Sequence, residues 1–139
     1  PMSVRVTAAG EFGWFSNHQG YRYVSEHPSG ATWPEIPASI MSIWQAMAGY
    51  APSPECCLVN YYGEGARMGL HQDRDEANLN WPVVSISLGD DALFRVGGRE
   101  RGGKLRQFGF SLVMWLSWMV PHGLTTMALT VLNLVVRDC

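Results

Sequence analysis

His71 and Asp73 stand two residues apart in the run Asn60-Tyr61-Tyr62-Gly63-Glu64-Gly65-Ala66-Arg67-Met68-Gly69-Leu70-His71-Gln72-Asp73-Arg74-Asp75-Glu76. In an extended segment, residues i and i+2 point to the same face. An imidazole and a carboxylate on one face supply two of the three ligands of the facial 2-His-1-carboxylate arrangement, which holds non-haem Fe(II) and leaves coordination positions open. The third ligand, a distant histidine, has to come from elsewhere in the chain. By itself His-x-Asp is a weak signal, because such tripeptides arise by chance and a histidine beside an acidic cluster is most often solvated.

The elements that must position this pair are short. Strands are predicted near Ser3–Thr7 and Tyr21–Val24, and a helix around Pro37–Ala48. The helix carries Ile40, Ile43, Trp44 and Met47 at helical spacing with Gly49 beyond its end, a stripe that belongs to the core. Cys57–Tyr62 and Val83–Leu88 alternate as strands, and a turn at Gly89-Asp90-Asp91 precedes a strand at Ala92–Val96. Many short strands with one or two helices predict a mainly β fold with supporting helices, a two-sheet sandwich or jelly-roll.

With 139 residues and 47% hydrophobic content, the chain is ample for one domain core. A net charge of −2 and a pI near 6.1 give no global basic field, so a nucleic-acid partner has to be held by local cations and stacking. Cys56, Cys57 and Cys139 form neither a metal-spaced nor a disulfide-framework pattern, which fits a reducing cytoplasm. There is no signal-peptide pattern, internal repeat or low-complexity linker.

The flanks of the His-x-Asp pair are more specific than the pair itself. Asn60 and Tyr62 as Asn-x-Tyr, the Gly-rich turn, Leu70-His71-Gln72-Asp73-Arg74-Asp75-Glu76, Pro82-Val83-Val84-Ser85-Ile86-Ser87-Leu88-Gly89 and Ala92-Leu93-Phe94-Arg95 resemble the AlkB family of iron- and 2-oxoglutarate-dependent dioxygenases, which remove alkyl groups from damaged nucleobases. Met2-Ser3-Val4, Gly13-Trp14, Gln19-Gly20-Tyr21-Arg22-Tyr23 and Trp33-Pro34 look like that family's nucleotide-recognition lid. The resemblance spans residues 1–104, with 1–35 as lid and 36–104 as helix and jelly-roll strands.

It implies a double-stranded β-helix core, incomplete at both ends here, since the family carries a further N-terminal region and Pro1 reads as the edge of a fragment. It also implies iron held by His71, Asp73 and a second histidine, with 2-oxoglutarate bound at Asn60 and Tyr62 and molecular oxygen as oxidant. Trp14 then stacks on a flipped base. Tyr21 and Tyr23 line the pocket or meet phosphates, Met2 packs nearby, and Asp75 contacts the base from the iron side. The pair of late-strand arginines with which the family clamps 2-oxoglutarate has no counterpart, because the context of Arg137 does not match.

Beyond Lys104 the character changes, with no Asp, Glu, Lys or Arg between Arg106 and Arg137. At face value residues 105–139 resemble a membrane span or a buried helix, interrupted by Pro121, His122 and Gly123. The genetic code offers another reading, because Met and Trp have single codons. Taking the third base of one residue with the first two of the next, Met114-Trp115 must encode Val, Trp118-Met119 Asp, Met119-Val120 Gly and Met127-Ala128 Gly. With permitted choices at the free bases, the stretch from Leu112 becomes Gly-Asp-Val-Val-Val-Leu-Asp-Gly-x-Ser-Arg-Leu-x-Tyr-His-Gly-x-Asp-Arg, close to the family's second-histidine motif. Residues 105–139 are therefore expected to be an out-of-frame translation after a base lost near Lys104. The second histidine then straddles Thr126 and Met127, and His122, without a Tyr-His-Gly context, is not that ligand.

The expected function is oxidative demethylation of alkylated bases in DNA or RNA by a cytoplasmic, monomeric enzyme without membrane attachment, the chain as written carrying an incomplete iron site. The alternatives are a dioxygenase of the same core acting on a protein or small molecule, and a non-catalytic nucleic-acid-binding remnant.

Overall fold

Alternating and doubly apolar strands account for most of the architecture. The computed structural model describes residues 4–48, 52–71, 82–97, 103–119, 127–128 and 132–137. In chain order the elements are β1 (Val4–Gly10), β2 (Gly13–Asn17), β3 (Gly20–Val24), α1 (Ala38–Ala48), β4 (Cys56–Tyr62), β5 (Pro82–Val96), β6 (Arg106–Met119), β7 (Met127–Ala128) and β8 (Leu132–Arg137). Six of the strands form one antiparallel sheet in the order β1-β4-β8-β5-β6, with β7 against β5, while β2 and β3 form a separate hairpin.

Consecutive residues of β4 and β5 go to different cores. Cys57, Val84 and Ile86 join Ala9 and the helix residues Ile40, Trp44 and Ala48 on one side of the sheet. Leu58 and Val83 form a second cluster on the other side, with Val6 and the hairpin residue Trp14 packed against it. The sheet is thus covered by α1 on one face and by the hairpin on the other. That is why Cys56-Cys57-Leu58-Val59 and Pro82-Val83-Val84 are continuous apolar runs rather than alternating ones.

Helix α1 starts where Pro37 offers its carbonyl to the N–H groups of Ile40 and Met41. Its buried row is Ile40, Trp44 and Ala48. The expected stripe is corrected at one end, because Met47 is 41% exposed. Trp44, 2% exposed, donates its indole N–H to the Pro52 carbonyl at 2.9 Å, and this anchor turns the helix so that Ala48 rather than Met47 meets the sheet.

One further expectation is revised, and the face-value helical reading of the tail is not met. Gly89-Asp90-Asp91 is not a turn between two strands: β5 runs through it, and its register against β6 shifts between Gly89 and Ala92. Three residue steps on β5 there oppose two on β6, and Gly89, at φ 112°, supplies the backbone freedom for the bulge. The apolar stretch after Lys104 is also not helical in its described parts. Its strands β6, β7 and β8 join the main sheet, β8 lying between β4 and β5. Among the described residues no helix is long and apolar enough to cross a membrane.

Candidate active site

Strand β4 presents Leu58, Asn60 and Tyr62 to the hairpin side of the sheet, as the packing of Leu58 with Trp14 fixes. Asn60 is 3% exposed, and its Oδ1 is buried without a hydrogen-bond partner among the described residues. A buried amide oxygen left in that state costs about 1–3 kcal/mol, so this position is built for something that binds there. Tyr62, one turn of the pleat further, places its hydroxyl 3.8 Å from Met68 Sδ. Burial pushes its phenol well above the ordinary tyrosine range, which keeps it a neutral O–H donor.

The rung through Asn60 continues across the sheet. Val6 pairs with Asn60, Asn60 with Asn133, and Asn133 with Ser87. Ser85 and Ser87 are buried polar residues on β5, on the same side as Val83. Sequence reasoning assigned them no role. The available signal was two serines spaced two apart inside an apolar strand, which marks a polar row facing one side.

His71 lies at the exposed end of the same chain segment. Its Nδ1 is 2.9 Å from the Gly69 carbonyl oxygen. A carbonyl only accepts, so Nδ1 carries the proton and, in the neutral ring, Nε2 carries the lone pair. This is the tautomer, held by a hydrogen bond to the backbone, that a metal-binding histidine needs. Asp73, Asp75, Met2 and His122 lie outside the described residues, so the shared face expected for His71 and Asp73 is not placed.

The hairpin supplies the aromatic part. Its register sets Trp14 opposite Tyr23 and Ser16 opposite Tyr21, so Trp14, Tyr21 and Tyr23 occupy one face. Trp14 and Tyr21 stack at 5.9 Å between centroids with planes 22° apart, while Trp14 also touches the Leu58–Val83 cluster. Tyr21 is 60% exposed, leaving a flat surface open to solvent above the Asn60 side of the sheet. Trp33 fixes the base of the hairpin, donating its indole N–H to the Val24 carbonyl at 2.9 Å. Its ring fills the space beside Gly13 where any Cβ would have to go.

Comparison with known proteins identifies the superfamily. Residues 1–112 match the 2OG-Fe(II) oxygenase superfamily. The chain belongs to this superfamily. It is 54% identical over 102 residues to the alpha-ketoglutarate-dependent dioxygenase AlkB homolog of Caulobacter vibrioides, covering 73% of this chain and 46% of that protein. It is 41% identical over 111 residues to the alpha-ketoglutarate-dependent dioxygenase AlkB of Escherichia coli, covering 76% of this chain and 51% of that protein. Both relatives carry the AlkB name, and the match to each is partial. The chain spans about half the length of the curated relatives it matches. The solved structure of OsALKBH1 superposes with a TM-score of 0.77 at 23% identity, over 99% of this chain and 79% of that one, which shows the jelly-roll fold, here with its sheets not closed.

The superfamily in general employs Fe(II), 2-oxoglutarate and oxygen. The residues present fit both groups. With its amide turned so that the N–H end takes the open position, Asn60 suits an anionic co-substrate, as does the neutral hydroxyl of Tyr62, and the tautomer of His71 suits a metal ion.

Proposed function

We propose that the chain carries the base-binding and metal-binding part of an Fe(II)/2-oxoglutarate dioxygenase that removes alkyl groups from nucleobases of DNA or RNA. The observation that carries this reading is the Trp14, Tyr21 and Tyr23 face, packed over the side of β4 that bears the orphaned Asn60 amide. An enzyme working on a nucleobase must unstack it and hold it between flat side chains. A peptide or small metabolite would leave that aromatic face without a role.

His71 and Asp73 hold the iron in this reading. Asn60 turns the N–H end of its amide to a carboxylate oxygen of 2-oxoglutarate, since rotation exchanges the donor and acceptor ends, and Tyr62 donates a second hydrogen bond. Iron with 2-oxoglutarate, when bound, supplies the oxidation of the alkyl carbon by oxygen. Trp14 stacks on the base, Tyr21 and Tyr23 close the pocket around it, Asp75 contacts its polar edge and Met2 packs beside it. The protein acts in the cytoplasm as a monomer without membrane attachment, a compartment consistent with Cys56 and Cys57 being buried thiols.

The remaining ligands are proposed to be lost through the reading frame. The forced codons from Met114 to Ala128 all agree with the shifted reading, and the match to the superfamily ends at residue 112. In this account β6 to β8 keep their places in the sheet, while the second histidine and the arginines are missing. The test is succinate release stimulated by an oligonucleotide carrying 1-methyladenine or 3-methylcytosine, measured on a frame-restored chain. Release with it, and none with methylated peptides, supports the reading; no release with the oligonucleotide contradicts it.

A further inference from the structure

The proposed base pocket uses one face of the β2–β3 hairpin, and the opposite face is built around a cation. There the register sets Phe15 against Arg22. The guanidinium carbon of Arg22 lies 5.5 Å from the Phe15 ring centroid, a cation–π distance. Its Nη1 donates to Asn17 Oδ1 at 3.3 Å, and the same oxygen accepts the backbone N–H of Gln19 at 3.0 Å, tying the guanidinium to the hairpin turn.

Phe15 is itself braced. His27 meets it edge-on at 6.0 Å and meets Trp33 edge-on at 5.3 Å. The His27 ring is held in turn through Nδ1, which accepts the Ser29 backbone N–H at 3.2 Å.

The consequence is an exposed, pre-positioned guanidinium whose partners Phe15 and Asn17 are both neutral. Only one of its five N–H donors is used by Asn17. Its rotamer freedom is already restricted, so less entropy is lost when it engages a ligand. A planar fork of donors whose charge is uncompensated among the described residues matches a phosphodiester. With a net charge of −2, the chain needs such local cations to hold a polyanion. Arg22 lies between Tyr21 and Tyr23 in β3 with its side chain on the opposite face of the hairpin, within reach of a strand that passes the hairpin while one of its bases enters the inner face.

We propose that Arg22 is the phosphate contact for the nucleotide next to the one taken by the aromatic face; the proposal rests on the nucleic-acid reading above. The probe is a labelled single-stranded oligonucleotide containing one 1-methyladenine, titrated by fluorescence anisotropy against the full chain over a salt series. Arg22→Gln is expected to weaken binding several-fold at low salt and to flatten the plot of log affinity against log salt by about 0.7, the release of one phosphate's counterions from a single strand. Arg22→Lys restores the slope. Arg5→Ala removes a different cation, the one 5.2 Å above the Tyr61 ring, and leaves the slope unchanged. An unaltered slope in Arg22→Gln, or an equal loss in Arg5→Ala, overturns the contact while leaving the nucleic-acid reading intact. Absence of binding by the unsubstituted chain at every salt concentration overturns both.

Discussion

Asn60 sets two demands against each other. Its buried Oδ1 has no partner among the described residues, so the amide weakens the fold and is retained for what it binds. Asn60→Leu is therefore expected to raise the melting temperature of the chain, while raising the apparent KM for 2-oxoglutarate in a frame-restored enzyme about 10- to 100-fold, the worth of one hydrogen bond to a charged group. Calorimetry and initial rates on the same variant check both signs, and a destabilised variant with unchanged KM contradicts the assignment. His71→Ala removes a metal ligand, and the restored enzyme should lose about 100-fold or more of its activity, whereas the melting temperature barely moves because His71 is exposed. Rates and thermal melts on that variant separate the two effects. At this scale residue type and spacing singled out Asn60, Tyr62 and His71, and the structure places Asn60 and Tyr62 on one face of β4. The sequence assigned Ser85 and Ser87 no role, because their spacing of two marks a polar row on one face without saying what that face meets.

The hairpin and the helix differ in how readily their patterns could be read. Helix α1 was legible because Ile40 and Trp44 repeat at its period, and β4 because it is apolar up to a turn. The exception was Met47, whose exposure depends on a tertiary hydrogen bond from Trp44 to Pro52 that no periodicity encodes. Strand β2 was missed: Gly13-Trp14-Phe15-Ser16-Asn17 has aromatics on both faces, so no alternation betrays it. Its position depends on Trp33 lying against Gly13. Gly13→Ala should displace that indole and loosen the hairpin at a cost of about 1–3 kcal/mol, read as a fall in denaturant midpoint together with loss of Trp14-dependent oligonucleotide binding. The β5 bulge was hidden for a different reason, since Gly-Asp-Asp is a turn signal unless a partner strand runs past it.

The whole molecule has a sheet covered on both faces, and its stability should reflect the groups sealed inside. Burial, with some repulsion from Cys56, pushes the Cys57 thiol up to about 12, and burial raises the Tyr62 phenol as well. Both groups keep their protons longer when folded than when unfolded. Their contribution is fully present below the ordinary thiol value near 9 and is lost as the pH rises above it. Stability should therefore fall by about 1.4 kcal/mol per pH unit for each such group above its unfolded value, and equilibrium unfolding at pH 8 and pH 10.5 measures it; equal stability at the two would show that Cys57 is not sealed. The apolar stretch from Leu105 supplies β6, β7 and β8 to that sheet. An anaerobic titration of Fe(II) and 2-oxoglutarate, followed by the visible charge-transfer absorption of the iron–oxo-acid chelate, tests the central claim most directly. The frame-restored chain should develop the band, with His71→Ala abolishing it and Asn60→Leu shifting it to higher 2-oxoglutarate. A restored chain that develops no band, or one whose band survives His71→Ala, would contradict the account.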